Sequence, residues 1–185
     1  MLRYLCQRVA ERAQQLGWAR SRDANLRLSA DGKIVRSTVD GGIATFQFPA
    51  AARDVRLLSS TFVPSEAGEA DPRRLGVSLS ALSLSAGRNR APLPVALDDP
   101  RLEDGLHHEE RRAGAPWRWT KGELRLKPEM WAALAPSPDG MITLRVSHDP
   151  TVLRQWSAPR PPKVAASNSV ALESLRELLA PAALA

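Results

Sequence analysis

The residues in this chain best equipped for chemistry are the tryptophan pair of Trp117-Arg118-Trp119. Side chains alternate along a strand, so both indoles share one face and Arg118 takes the other. Two indoles on one face form an apolar platform on which a sugar ring can lie. Arg118, Glu109 and Glu110 are then the neighbouring groups able to hydrogen-bond its hydroxyls. The competing reading puts at least one indole in the core, the commoner place for tryptophan.

Other polar clusters carry less chemistry. His107-His108-Glu109-Glu110 is the densest run of metal-capable groups, but adjacent side chains diverge. A zinc-binding helix needs histidines four apart on one face, and only His148 lies elsewhere. Asp98-Asp99 with Glu103-Asp104 offers oxygens for calcium without the EF-hand spacing or its central glycine. Glu66 or Glu110 is a candidate acid for a hydrolase worked by paired loop carboxylates, whose separation cannot be read from sequence. No nucleophile elbow, P-loop or dinucleotide fingerprint is present. No catalytic residue, metal or cofactor is therefore assigned. Asp71, Arg73 and Arg74 read as an ion-pair set that fixes a loop. Cys6 falls on an apolar helical stripe and reads as a buried structural thiol.

The elements that must position these groups are mostly strands. Leu2, Leu5, Cys6, Val9, Ala13 and Leu16 recur at helical spacing, which predicts a helix over 1–18 closed by Gly17. Its stripe is expected to pack on the rest of the chain or on a further domain. Beyond Arg22 the period changes to two. Leu26 and Leu28 lead to a hairpin turn at Asp31-Gly32, and Asp40-Gly41-Gly42 marks a second turn. Strands are expected at 43–48, 55–58, 75–84, 95–97, 123–126 and 141–146. About eight short strands with frequent turn signals predict an antiparallel β-sandwich, jelly-roll-like, over 20–148. Long loops at 61–73 and 98–117 are candidates for function. Pro159, Pro161 and Pro162 predict an extended linker over 149–167. Val170, Leu172, Leu175, Leu178 and Leu179 predict a C-terminal helix over 168–180, stopped by Pro181.

Composition sets the outer bounds. With 185 residues, 43% hydrophobic and 25% charged, the chain has the makings of a folded core. One cysteine excludes an internal disulfide. No apolar run approaches ~18 residues, so no spanning helix is expected, and the charged start does not read as a secretory leader. A cytoplasmic location is the expectation. The net charge is +6, with balances of +5, 0 and +1 over 1–60, 61–122 and 123–185. The basic residues of the first third are scattered singly with few stacking aromatics between them. They read as a solvated surface and not as a nucleic-acid footprint.

Several runs resemble a bacterial family. Val55-Arg56-Leu57 through Val63-Pro64-Ser65-Glu66, and then Asp71-Pro72-Arg73-Arg74-Leu75-Gly76-Val77, are similar to the C-terminal region of Hint (hedgehog/intein) domain-containing proteins. So are Leu97-Asp98-Asp99-Pro100-Arg101-Leu102, Gly105-Leu106-His107 and Trp117-Arg118-Trp119-Thr120-Lys121-Gly122. The likeness extends over residues 2–147. Similar runs occur in β-sandwich modules attached to bacterial glycosyltransferases. Lys121 stands where the pattern has an acidic residue. The Hint catalytic part is missing, since Cys6 is inside a helix and no histidine is followed by asparagine. The resemblance therefore implies an accessory region without autoprocessing.

These readings converge on a non-catalytic accessory binding or interaction module. Its candidate partners are a glycan or another protein domain, not nucleic acid and not a membrane. The alternatives are the small carboxylate hydrolase and a structural fragment of a longer Hint-type protein.

Overall fold

The computed structural model describes residues 2–86, 91–112, 114–134, 137, 139–154 and 156–159. Helix α1, Leu2–Gln15, comes first. Thirteen short strands follow among the described residues, numbered β1–β13 in chain order, and every pairing is antiparallel. The larger sheet runs β4 (Thr38–Asp40), β5 (Ile43–Pro49), β12 (Met141–His148), β7 (Ser78–Ala86), β10 (Ala115–Trp119), β9 (Glu110–Arg112). Strand β8 (Leu93–Val95) also pairs with β7. The smaller sheet runs β11 (Glu123–Leu126), β6 (Val55–Leu58), β2 (Arg27–Ala30), β3 (Lys33–Val35). A ribbon joins β1 (Ala19–Arg20) to β13 (Trp156–Ser157).

Alternation explains why these segments form strands. Ala44, Phe46 and Phe48 of β5 face inward, as do Ile142, Leu144 and Val146 of β12. Leu28, Val55, Leu57, Leu124 and Leu126 of the smaller sheet meet them in one shared core. Trp131 fills the end of that core. It lies edge-on to Phe48 at 5.1 Å, and its indole N–H donates to the Ala50 carbonyl at 3.0 Å. The β2–β3 hairpin turns on Asp31 and Gly32, both at positive φ (47° and 78°), the backbone that a two-residue primed turn requires. At Gly76 the constraint is space: a Cβ there would collide with Thr120 Oγ1.

The helix departs from expectation. Leu5, Val9 and Leu16 are 53%, 68% and 55% exposed, so the apolar stripe of α1 is not covered by described residues. The helix meets the body near the short 3-10 turn Pro64–Ala67, where half-buried Cys6 faces Gly68. The thiol expected to be buried is thus only partly so. Strand β7 starts at Ser78 instead of Leu75, which forms a lone bridge to Phe62. The loop expected over 98–117 holds the 3-10 turn Pro100–Gly105, β9 and the start of β10. The described part of the expected linker is tied down: Arg154 N–H donates to the Ser21 carbonyl at 2.8 Å, and β13 pairs with β1. The expected helix over 168–180 lies outside the described residues. No helix among the described residues is long and apolar enough to cross a membrane.

Candidate functional site

Strand β10 places the tryptophans. Arg118 sits opposite Leu79 and Trp119 opposite Ser78, so Arg118 shares the core side with Leu79 and the indoles share the outer face of the larger sheet. The two indoles do not lie flat beside each other. Their centroids are 5.2 Å apart with planes at 72°, and Phe62 stands at the same angle to Trp119 at 5.7 Å. Trp119 is buried with Phe62 and Leu75 in a small second cluster, while Trp117 is half-buried at its border.

Arg118 is committed elsewhere. It is buried on the side away from the indoles, where Nε donates to the His107 carbonyl at 2.6 Å and Nη1 to the Leu97 carbonyl at 2.7 Å. It clamps the two ends of the segment that holds the Pro100–Gly105 turn and offers nothing to a molecule lying on the tryptophans. The carboxylates are also engaged. Glu109 accepts from Arg111 Nε at 3.0 Å, and Glu110 accepts from Arg73 Nη2 at 2.7 Å. Asp71 accepts from the same Arg73 through Nε and Nη2, the latter at 2.6 Å, and from its backbone N–H at 2.9 Å. Asp71, Arg73 and Glu110 thus tie the 61–73 loop to β9. Arg74 donates to Thr61 Oγ1 at 3.3 Å.

The Arg73 guanidinium holds the Asp71 carboxyl below its ordinary range against a smaller opposing effect of burial. Asp54 and Asp99 are lowered in the same way by Arg56 and Arg101. A general acid for glycoside cleavage needs the opposite displacement. Glu66 is exposed on the Pro64–Ala67 turn. His107 Nε2 is 3.0 Å from the Arg74 carbonyl and His108 Nε2 is 3.4 Å from Arg73 Nη1. Among the described residues no three His, Cys, Asp or Glu groups are placed to hold a metal ion.

Two cavities flank Trp117. One, about 490 Å³, is lined by Trp117, Trp119, Leu79, Pro116, Ser80 and His148 among others. The second, about 470 Å³, lies toward Arg20, Glu69 and Leu153 and shares Trp117, Trp119 and Val152 with the first. Trp117 Nε1 and His148 Nδ1 are both buried without a hydrogen-bond partner, and both residues line the first cavity. Burial pushes the His148 imidazole below its usual pKa, and the Arg154 charge adds to this while Asp149 opposes it.

Sequence reasoning had not singled out His148, Val152 or Arg154 for this site, because tertiary structure brings them there. The β12–β7 register slips at Ser147/His148, so Leu79 and Leu82 both face inward with Ser80 and Ala81 exposed between them. That bulge brings His148 to the Trp117 cavity. Val152 follows a turn in which Asp149 accepts from Thr151 N–H at 2.8 Å and from Thr151 Oγ1 at 2.6 Å. Arg154, only 3% exposed, donates to the Gly76 carbonyl and sits 5.4 Å from the Phe62 ring centre. The break from apolar alternation to His148-Asp149-Pro150 is the one local signal for this corner.

Compared with protein-family models, with curated proteins and with solved structures, the chain matches none.

Proposed function

We propose that this protein is a non-catalytic binding module, a jelly-roll-like antiparallel β-sandwich that seats a sugar ring against Trp117. One observation carries the reading. Trp117 stands half-exposed between two open cavities, on the outer face of the larger sheet. A sugar supplies what those surroundings lack: an apolar ring face to lie against the exposed part of the indole. The hydrolase alternative has less support, because Asp71 and Glu110 are bound to Arg73.

A relation to the accessory region of Hint-type proteins belongs to the same proposal. The runs quoted for that resemblance lie side by side: Gly76 N–H donates to the Thr120 carbonyl at 2.7 Å, and Ser59 N–H to the Gly122 carbonyl at 2.9 Å.

A glycan array, followed by titration calorimetry on the best hit, tests the function. Trp117→Ala is expected to keep the fold and lose the glycan. A blank array, or binding unchanged in Trp117→Ala, rejects the reading.

A further inference from the structure

The outer face that carries Trp117 has a second feature toward its other edge. A basin of about 590 Å³ opens over β5, β12 and β7 and is lined by Arg36, Arg145, Thr45, Gln47, Thr143 and Ser85 among others. Register explains the grouping. Thr45 lies opposite Arg145, and Gln47 opposite Thr143, which lies opposite Ser85. All five have the opposite parity to the inward residues Phe46, Leu144 and Leu84.

The basin is polar and positive. Its lining contains two guanidinium groups and no carboxylate, and neither Arg36 nor Arg145 forms an ion pair with a described residue. Its floor is not open surface, since Thr143 and Ser85 are each 6% exposed. Positive charge at the rim of a partly desolvated hollow focuses its field on an incoming anion. Guanidinium groups match the planar or tetrahedral oxygens of carboxylate and sulfate. The volume falls within the roughly 300–1,000 Å³ of small-ligand sites.

The basin and the Trp117 cavity lie along one track. Arg145 and His148 are three residues apart on β12, about 10 Å at the rise of a strand. Between them the outer face shows Ser147, Ser83, Ala81 and Ser80, too small to block a chain lying across it.

We infer that the Trp117 cavity and the Arg36–Arg145 basin are two ends of one extended site for an acidic oligosaccharide. One sugar ring stacks at Trp117, and a carboxylate or sulfate a few ångströms to either side of Arg145 is held by Arg145 and Arg36. This inference rests on the Trp117 reading and adds the charge of the ligand to it.

The test uses three probes in calorimetric titration: a hexamer of galacturonic acid, its methyl-esterified counterpart, and a heparin-derived hexasaccharide. At least one acidic probe is expected to bind about ten-fold more tightly than the ester, with an advantage that fades as salt is raised. Preference for the uronate assigns a carboxylate ligand, and preference for heparin a sulfate. The double substitution Arg36→Gln with Arg145→Gln should bring the acidic probe down to the ester's affinity. Trp117→Ala should weaken all binding. Circular dichroism checks that each variant is folded. Equal affinity for acid and ester, both dependent on Trp117, overturns the acidic site and leaves the sugar platform. A charge preference that survives the double substitution also overturns it. No binding of any probe overturns both.

Discussion

Trp117 and Trp119 lie two residues apart on one face of one strand, yet they have different consequences when removed. Trp119 is enclosed by Phe62 and Leu75, so truncation leaves a hole among packed rings. Trp119→Ala is expected to cost ~3–5 kcal/mol in a denaturant titration. Trp117 borders open cavities, and its removal should shift the midpoint far less. The titratable residues make predictions with a definite sign. The Asp71 carboxyl is held below its ordinary value of 3.8 by Arg73. Its contribution to stability is complete above that value and is lost as pH falls through the lower folded-state value. Asp71→Asn should therefore flatten the stability profile at the acid end, read from denaturation midpoints across pH. His148 acts higher on the scale. Burial lowers it from 6.5, so the unfolded chain takes up a proton that the folded protein resists. Stability from this group is whole above 6.5 and declines as pH falls toward the folded value. His148→Gln should remove that slope. The His148 effect was not legible from sequence, because the imidazole is lowered chiefly by what buries it.

At the scale of elements, local rules worked where the chain meets itself at short range. Asp31-Gly32 marked its hairpin, and the alternation of Ile43–Phe48 and Met141–Val146 marked their strands. Two elements show where such rules end. The period of β7 breaks at Ser80 and Ala81, because pairing with β12 slips there, and no feature of β7 itself specifies a slip in its partner. Helix α1 has the right period, but period states which face is apolar and not what covers it. Leu5→Ala should accordingly change stability by less than about 0.5 kcal/mol, against ~2–5 kcal/mol for Leu144→Ala in the shared core. Equal costs at both positions would mean that the helix is docked. Gly76 tests a junction between elements. A methyl group there collides with Thr120 Oγ1, whose hydroxyl accepts the Val77 N–H at 2.9 Å. Gly76→Ala should lose ~1–3 kcal/mol and weaken the seam between the two long loops and β10.

At the scale of the whole molecule, the two larger sheets have no separate interiors. Phe46 and Leu144 of one share a core with Leu57 and Leu124 of the other, so neither can open without exposing both. Unfolding should be a single cooperative event, with far-ultraviolet circular dichroism and tryptophan fluorescence changing together. Non-coincident curves would show that the sheets come apart in steps. That shared interior was legible as a mainly antiparallel β-protein, while the strand order was not, because β5 pairs with β12 across most of the chain. The rims of the sheets have a different consequence. An open β-edge is a template on which another chain can add a strand, the first step toward fibrils. Here the outermost strands β3, β4, β8 and β9 are three residues each, and β11 is four. Lys33, Asp40, Glu110 and Arg111, with Glu123 and Arg125, set charge into all of them but β8, whose central residue is Pro94. Exposed Ile34 and Val39 are thus each flanked by a charged neighbour on a strand too short to recruit a long partner. Such rims act as gatekeepers: an incoming strand meets little free backbone to pair with.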